Sequence, residues 1–137
     1  MRLRQATVED AAPTVALWRE AGLTRPWNDP DSDFLGAVNG DSSVVLLAVD
    51  GADLLGSVMV GDDGHRGWMY YLSVAAGSRG RGLGADLVRG AEEWLAQRGQ
   101  LRIRLMVRNE NDAVLGFYAG LGYVDQDCVV LGRTLDE

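Results

Sequence analysis

Lysine is absent: all thirteen basic residues of the 137-residue chain are arginine. That excludes Schiff-base chemistry on a lysine amine and the phosphate-binding loop that ends in Gly-Lys-Ser/Thr. Cysteine and histidine occur once each, as Cys128 and His65. One thiol forms no internal disulfide, and the pair is too small for the usual zinc ligand sets, so no metal site is expected. Cys128 lies in the strand-like run Cys-Val-Val-Leu131 and reads as a small buried hydrophobe. Long apolar runs are also missing. The longest, Val44-Val-Leu-Leu-Ala-Val49, falls far short of the ~20 residues of a membrane span. The start, MRLRQATVEDAAP, lacks the apolar core of a signal peptide. A soluble, cytoplasmic protein with no membrane partner is the expectation.

What is present is acid, unevenly placed. The formal net charge is −7. Residues 64–108 carry eight arginines against Asp86, Glu92 and Glu93, a local +5, and the remainder carries five arginines against seventeen acids, −12. Nucleic acid, which needs a broad basic face, is disfavoured as a partner. A local basic site in an acidic protein suits a small polyanion bound beside a cationic substrate. With 47% hydrophobic and 24% charged residues and no linker or repeat, residues 1–137 read as a single domain.

Periodicity gives the elements. Arg2–Ala6 alternates as a first strand, and a helix follows to about Ala21, with Gly22 as its stop. Its start is ambiguous. Thr7 with Asp10 resembles a capping box, whereas Asp10 as N-cap leaves Pro13 where no amide donor is needed, and the later start is preferred. A proline-rich loop, Leu23–Pro30, leads to a short helix around Ser32–Val38. Ser43–Val49, Leu54–Gly61 and Trp68–Val74 read as three antiparallel strands joined by turns at Asp50-Gly51 and Asp62–Gly67. Leu83, Leu87, Val88, Ala91, Trp94 and Leu95 recur at helical spacing up to Gly99. Leu101–Val107 alternates as a strand, Ala113–Leu121 is a helix that Asn111 or Asp112 caps, and Tyr123–Leu135 holds one or two last strands. The order predicts an α/β or α+β domain with a mixed sheet.

Between the fourth strand and the long helix lies Gly77-Ser-Arg-Gly-Arg-Gly-Leu-Gly84. Strand, glycine loop and helix in succession make an anion site, because free amides converge and the helix dipole adds positive potential. Gly80, Gly82 and Ala85 also fit the dinucleotide fingerprint, but such a domain puts its loop after the first strand and needs several parallel units downstream. Only 53 residues follow Gly84.

Arg79-Gly-Arg-Gly-Leu-Gly84 matches the R/Q-x-x-G-x-G/A signature of the GNAT superfamily of acyl-CoA-dependent N-acetyltransferases. Asn111-Asp-Ala-Val-Leu-Gly-Phe-Tyr118-Ala-Gly-Leu-Gly-Tyr123 resembles that family's later segment built on Asn, Tyr and Gly-Phe/Tyr, and the element order agrees along nearly the whole chain. RPWNDP and DGHRG further resemble a subgroup of small bacterial members. The resemblance implies a mixed, mostly antiparallel sheet of six to seven strands with about four helices and splayed central strands. It also implies acetyl-CoA as co-substrate and a small-molecule or peptide amine as acceptor, with a homodimer left open. Amides across Arg79, Gly80, Arg81, Gly82, Leu83 and Gly84 would hold the CoA pyrophosphate. Leu72 and Val74 would pair with the pantetheine arm, Asn111 would contact that arm, and Tyr118 would face the thioester sulfur as general acid.

Amine attack on a thioester needs a neutral nucleophile, an oxyanion donor and a proton for the departing thiolate. The amide of Val74 is the candidate oxyanion donor. Many relatives carry a glutamate on the fourth or fifth strand, where Tyr70, Tyr71 and Met106 stand here, so His65 and Asp63 in the neighbouring turn are the candidate bases, with Glu110 or a water chain as alternatives. The acceptor wall is implied to hold Arg25, Trp27, Asn28 and Asp29, and Trp27 with Asp29, Asp31 and Asp33 suits a cationic amine. The competing reading, from the missing carboxylate, is a non-catalytic acyl-CoA-binding or regulatory module of the same fold.

Overall fold

Alternating side chains at the start of the chain form β1 (Arg2–Gln5), which pairs antiparallel with β2 (Ser43–Asp50). The computed structural model describes residues 1–136, which fall into two compact units divided after Met106. In the first unit β2 pairs with β3 (Asp53–Asp62), β3 with β4 (Gly67–Val74), and β4 in parallel with the two-residue β5 (Ile103–Arg104). The sheet runs in the order β1-β2-β3-β4-β5. The turns that divide it are the Gly51 and Gly64 turns expected from their glycines, both at positive φ.

The pleat sends alternate residues to opposite faces. Val45, Leu47 and Val49 of β2 join Val15 and Trp18 of α1 (Ala11–Glu20) and Phe34 and Ala37 of α2 (Pro30–Asn39) in one buried cluster. On the other face α3 (Leu83–Gln97) buries Leu83, Leu87, Val88, Ala91 and Leu95 against β2, β3 and β4. A Cβ on Gly56 of β3 would come within 2.7 Å of the Ser73 carbonyl and 3.0 Å of Leu87, so glycine there lets α3 sit close to the sheet. Each fully buried leucine contributes about 2–3 kcal/mol of hydrophobic stabilisation.

Both readings of the first helix are realised. Thr7 opens a 3-10 turn, Val8–Asp10, in which the Asp10 carboxylate accepts from the Thr7 amide at 2.8 Å, and α1 then starts at Ala11. The second unit holds α4 (Asp112–Gly120), whose N-cap Asn111 accepts from the Val114 amide.

The strand count corrects the expectation of six to seven, since the described residues form five. The Leu101–Val107 strand shrinks to Ile103–Arg104, because β4 is its one partner among the described residues and that pairing covers two residues. Tyr123–Leu135 forms no strand. Asp127 takes φ +56 and its amide donates to the Asp125 carboxylate, which turns the chain instead of extending it. Val129, Val130, Leu131 and Leu135 are 69–89% exposed, and Cys128 is exposed, not buried.

Candidate active site

The glycine loop is shaped by two left-handed residues, Gly80 at φ +82 and Gly82 at φ +77. Gly82 is the N-cap of α3, and its carbonyl accepts the first helical bond, from the Asp86 amide at 3.1 Å. The amides of Leu83, Gly84 and Ala85 thus have no acceptor within the helix, and no side chain caps them. Around Gly77, Gly80 and Gly82 the space where a Cβ would stand is open. The exposed Arg79 and Arg81 flank this opening. Free amides, a helix dipole and two guanidinium groups fit a phosphate-bearing ligand.

The loop is fed by β4, which outruns its neighbour. Parallel pairing with β5 stops at Trp68↔Arg104, while β4 continues to Val74. The Ala75 amide donates to Leu55 at 2.8 Å, so alternation turns the Val74 amide away from β3, toward the edge that β5 has left. An edge of this kind accepts an extended ligand as an added strand.

Within β4 the register slips: Met59 pairs with Tyr70 and Ser57 with Ser73, so two residues, Tyr71 and Leu72, oppose Val58 alone. Tyr71 carries the bulge at φ +55, a conformation that costs a bulky residue about 1–2 kcal/mol. Two contacts hold it there. Its ring stacks on Trp18, and its hydroxyl donates to Asp33 Oδ2 at 2.7 Å. Burial first, then the Asp33 bond and charge, push the phenol pKa upward. Trp18 is in turn fixed by its Nε1–H, which donates to Ser57 Oγ at 2.9 Å, and Ser57 bonds Ser73 at 3.0 Å.

Beside the bulge opens a cavity of about 590 Å³, walled by Asn28, Asp33, Tyr70, Tyr71, Met59 and Met106 among others. Of the residues expected in an acceptor wall, Asn28 lines it. Asp29 is the N-cap of α2, accepting from the Ser32 amide at 3.2 Å. Arg25 donates to the carbonyls of Gly22 and Thr24 and so braces its own loop. Trp27 is 72% exposed and plugs no core.

The candidate bases occupy the opposite end of β4. Asp63 accepts from the amides of His65 and Arg66 and from Trp68 Nε1, which hold its carboxyl down at about 2. His65 Nε2 lies 2.6 Å from an Arg66 guanidinium nitrogen. Asp63 is near enough to the cavity wall for its charge to add to burial in pushing the Tyr70 phenol pKa upward. In the second unit Tyr118 is buried, with Phe117 and Tyr123 edge-on at 5.0 and 5.5 Å, and burial pushes its phenol up to about 12. The Asp33–Tyr71 bond spans 38 residues and had no local sequence signal.

A model of the acetyltransferase (GNAT) family matches residues 8–123. The chain belongs to this family. An acetyltransferase of Pectobacterium atrosepticum is 43% identical over 137 residues, covering all of this chain and 97% of that protein. Among solved structures, a putative acetyltransferase from Agrobacterium tumefaciens superposes with a TM-score of 0.81 at 19% identity, covering 98% of this chain and 100% of that one. The aminoglycoside N-acetyltransferase AAC(6')-Iy, solved with CoA, gives 0.84 at 15%, covering 98% and 94%. At these identities the structures establish the fold, a mixed α/β GNAT architecture. No helix among the described residues is long and apolar enough to cross a membrane, and no group of three or more His, Cys, Asp or Glu among them is placed to hold a metal ion.

Proposed function

We propose that this GNAT protein transfers an acetyl group from acetyl-CoA to a primary amine by direct attack. The observation that carries the proposal is the run of β4 past the end of β5, with its outer backbone edge free and leading into an uncapped helix start behind an open glycine loop. An extended arm ending in a pyrophosphate fits that combination. The backbone of Leu72 and Val74 takes the arm as an added strand, and the amides of Arg79–Gly84 take the phosphates, aided by the two arginines. Asn111 contacts the arm, as the family motif implies.

Bound acetyl-CoA supplies an activated acyl carbon. The amide of Val74 donates to the oxyanion as the C–N bond forms, and Tyr118 gives its proton to the sulfur as the C–S bond breaks. What supports Tyr118 is its place in the motif and a buried phenol that stays protonated at neutral pH. Most of the rate comes from holding the amine at the carbonyl. Asp63, tied down by its own turn, and His65, beside an arginine, are weaker candidates for the base than a water chain. We further assign the protein to the cytoplasm, acting on a small-molecule or peptide amine.

Thiol release from acetyl-CoA over a panel of amines tests this. Release with at least one amine is expected. Tight CoA binding with no release from any amine would leave the acyl-CoA-binding module as the correct reading.

A further inference from the structure

We infer that the cavity beside the β4 bulge selects acceptors that carry a second cationic group, with Asp33 as its anchor. The inference rests on the acetyltransferase reading and names the substrate class of its acceptor site.

The cavity, about 590 Å³, has the size of a small-molecule site. Asp33 is the one charged residue among the described residues of its lining; Leu23, Ala37, Met59 and Met106 make the wall apolar, and Tyr70 and Tyr71 add two phenol rings. No salt bridge to Asp33 forms among the described residues. Arg19 pairs with the neighbouring Asp31 at 3.8 Å, and Arg25 donates to backbone carbonyls. Asp33 Oδ2 accepts the Tyr71 hydroxyl, and Oδ1 has no protein donor among the described residues. A carboxylate held by one neutral donor, at the wall of an apolar cavity and beside aromatic faces, is complementary to an ammonium group. An amino-acid acceptor fits poorly, because its carboxylate would meet Asp33 and find no cation in the lining.

Tyr71 links this anchor to the acyl edge: its hydroxyl donates to Asp33 at 2.7 Å, and the next residue, Leu72, begins the β4 edge assigned to the acyl arm. A second cation on the acceptor then reaches Asp33 through a flexible spacer, for which alkyl diamines are the simplest probes.

The test uses the full chain and four probes, 1,4-diaminobutane and 1,5-diaminopentane against butylamine and pentylamine, with thiol release and calorimetric binding measured in parallel. The kcat/KM of each diamine should exceed that of its monoamine by roughly tenfold or more, mainly through KM. In Asp33→Asn, which keeps an acceptor for the Tyr71 hydroxyl, that ratio should fall to near one. A ratio near one in the native protein, or one that Asp33→Asn leaves unchanged, overturns the inference; equal loss for both amines counts as unchanged. If no amine releases thiol but diamines bind in an Asp33-dependent way, the cation site stands and the transferase reading falls. Neither turnover nor Asp33-dependent binding overturns both.

Discussion

Trp18 and Tyr71 stack face to face, with ring centroids 4.0 Å apart and planes 8° from parallel. The stack joins α1 to the bulge of β4, and Phe34 of α2 meets the same indole edge-on at 6.0 Å. Left-handed backbone at a tyrosine persists only where its surroundings over-determine it. Here the indole, the Asp33 carboxylate and the Ser57 hydroxyl behind the indole do so. The bulge that shapes the cavity is thus built from the hydrophobic core.

Removing the indole tests that dependence. Trp18 has 0% exposure, so Trp18→Ala should cost about 3–5 kcal/mol of folding stability. Trp18→Phe keeps part of the stack but deprives Ser57 of its donor, at about 1–2 kcal/mol. Urea denaturation measures both, and a midpoint for Trp18→Ala close to the native one would show that the stack contributes little.

The glycine loop calls for a matched control. Gly82 at φ +77 and Gly51 at φ +59 are both left-handed with open space around them. Alanine at either should cost about 1 kcal/mol of stability for the backbone alone. Only Gly82→Ala should also weaken CoA binding, because only there does a methyl group stand beside the free amides of α3. Equal CoA affinity in the two variants, measured by calorimetry, would move the pyrophosphate site elsewhere.

These elements were legible in the sequence to different degrees, and the difference follows the range of the forces. The hairpins from Ser43 to Val74 and the apolar stripe of α3 depend on local alternation and turn glycines, and each formed within a residue or two of its expected bounds. The Asx turn of Asp63 and the cap of Asn111 are local as well. Strand formation at Leu101–Val107 and Tyr123–Leu135 is not local. Alternation says which side chains would share a face, but a strand also needs a partner edge, and β5 has one for only two residues. The cavity escaped for the same reason. Tyr71, read from the sequence as the place of a missing glutamate, turned out to face a carboxylate from α2, 38 residues away.

Asp10 gives a pH-dependent prediction. Its carboxylate accepts two bonds from Arg4, at 2.8 and 2.9 Å, and one from the Thr7 amide, which lower its pKa to about 2, the Arg4 bond leading. An unfolded aspartate titrates near ~3.9. The native state therefore gains stability from Asp10 that is complete above that value and is lost as pH falls through 2. The difference in urea midpoint between the native protein and Asp10→Asn should be constant near neutral pH, narrow below about pH 4, and close near pH 2. A difference independent of pH would mean that the Arg4 pair contributes through shape alone.

Tyr118 decides whether the chemistry follows the family's manner. With its phenol at about 12 the hydroxyl is protonated throughout any practical assay. It is also a weaker acid than an ordinary thiol of pKa ~8.5, so it stabilises the departing thiolate by donation before the proton is transferred. Phenylalanine keeps the ring and its edge contacts with Phe117 and Tyr123 while removing that donor. Tyr118→Phe should lower kcat by ~10-fold to 10²-fold and leave acetyl-CoA affinity and thermal stability near native. The shape of the pH–rate profile between about pH 6 and 9 should be the same in both proteins, because a group titrating near 12 places no limb in that range. Full turnover in Tyr118→Phe would assign the residue to packing. Loss of CoA binding together with lowered thermal stability would instead identify a core residue whose hydroxyl takes no part in the reaction.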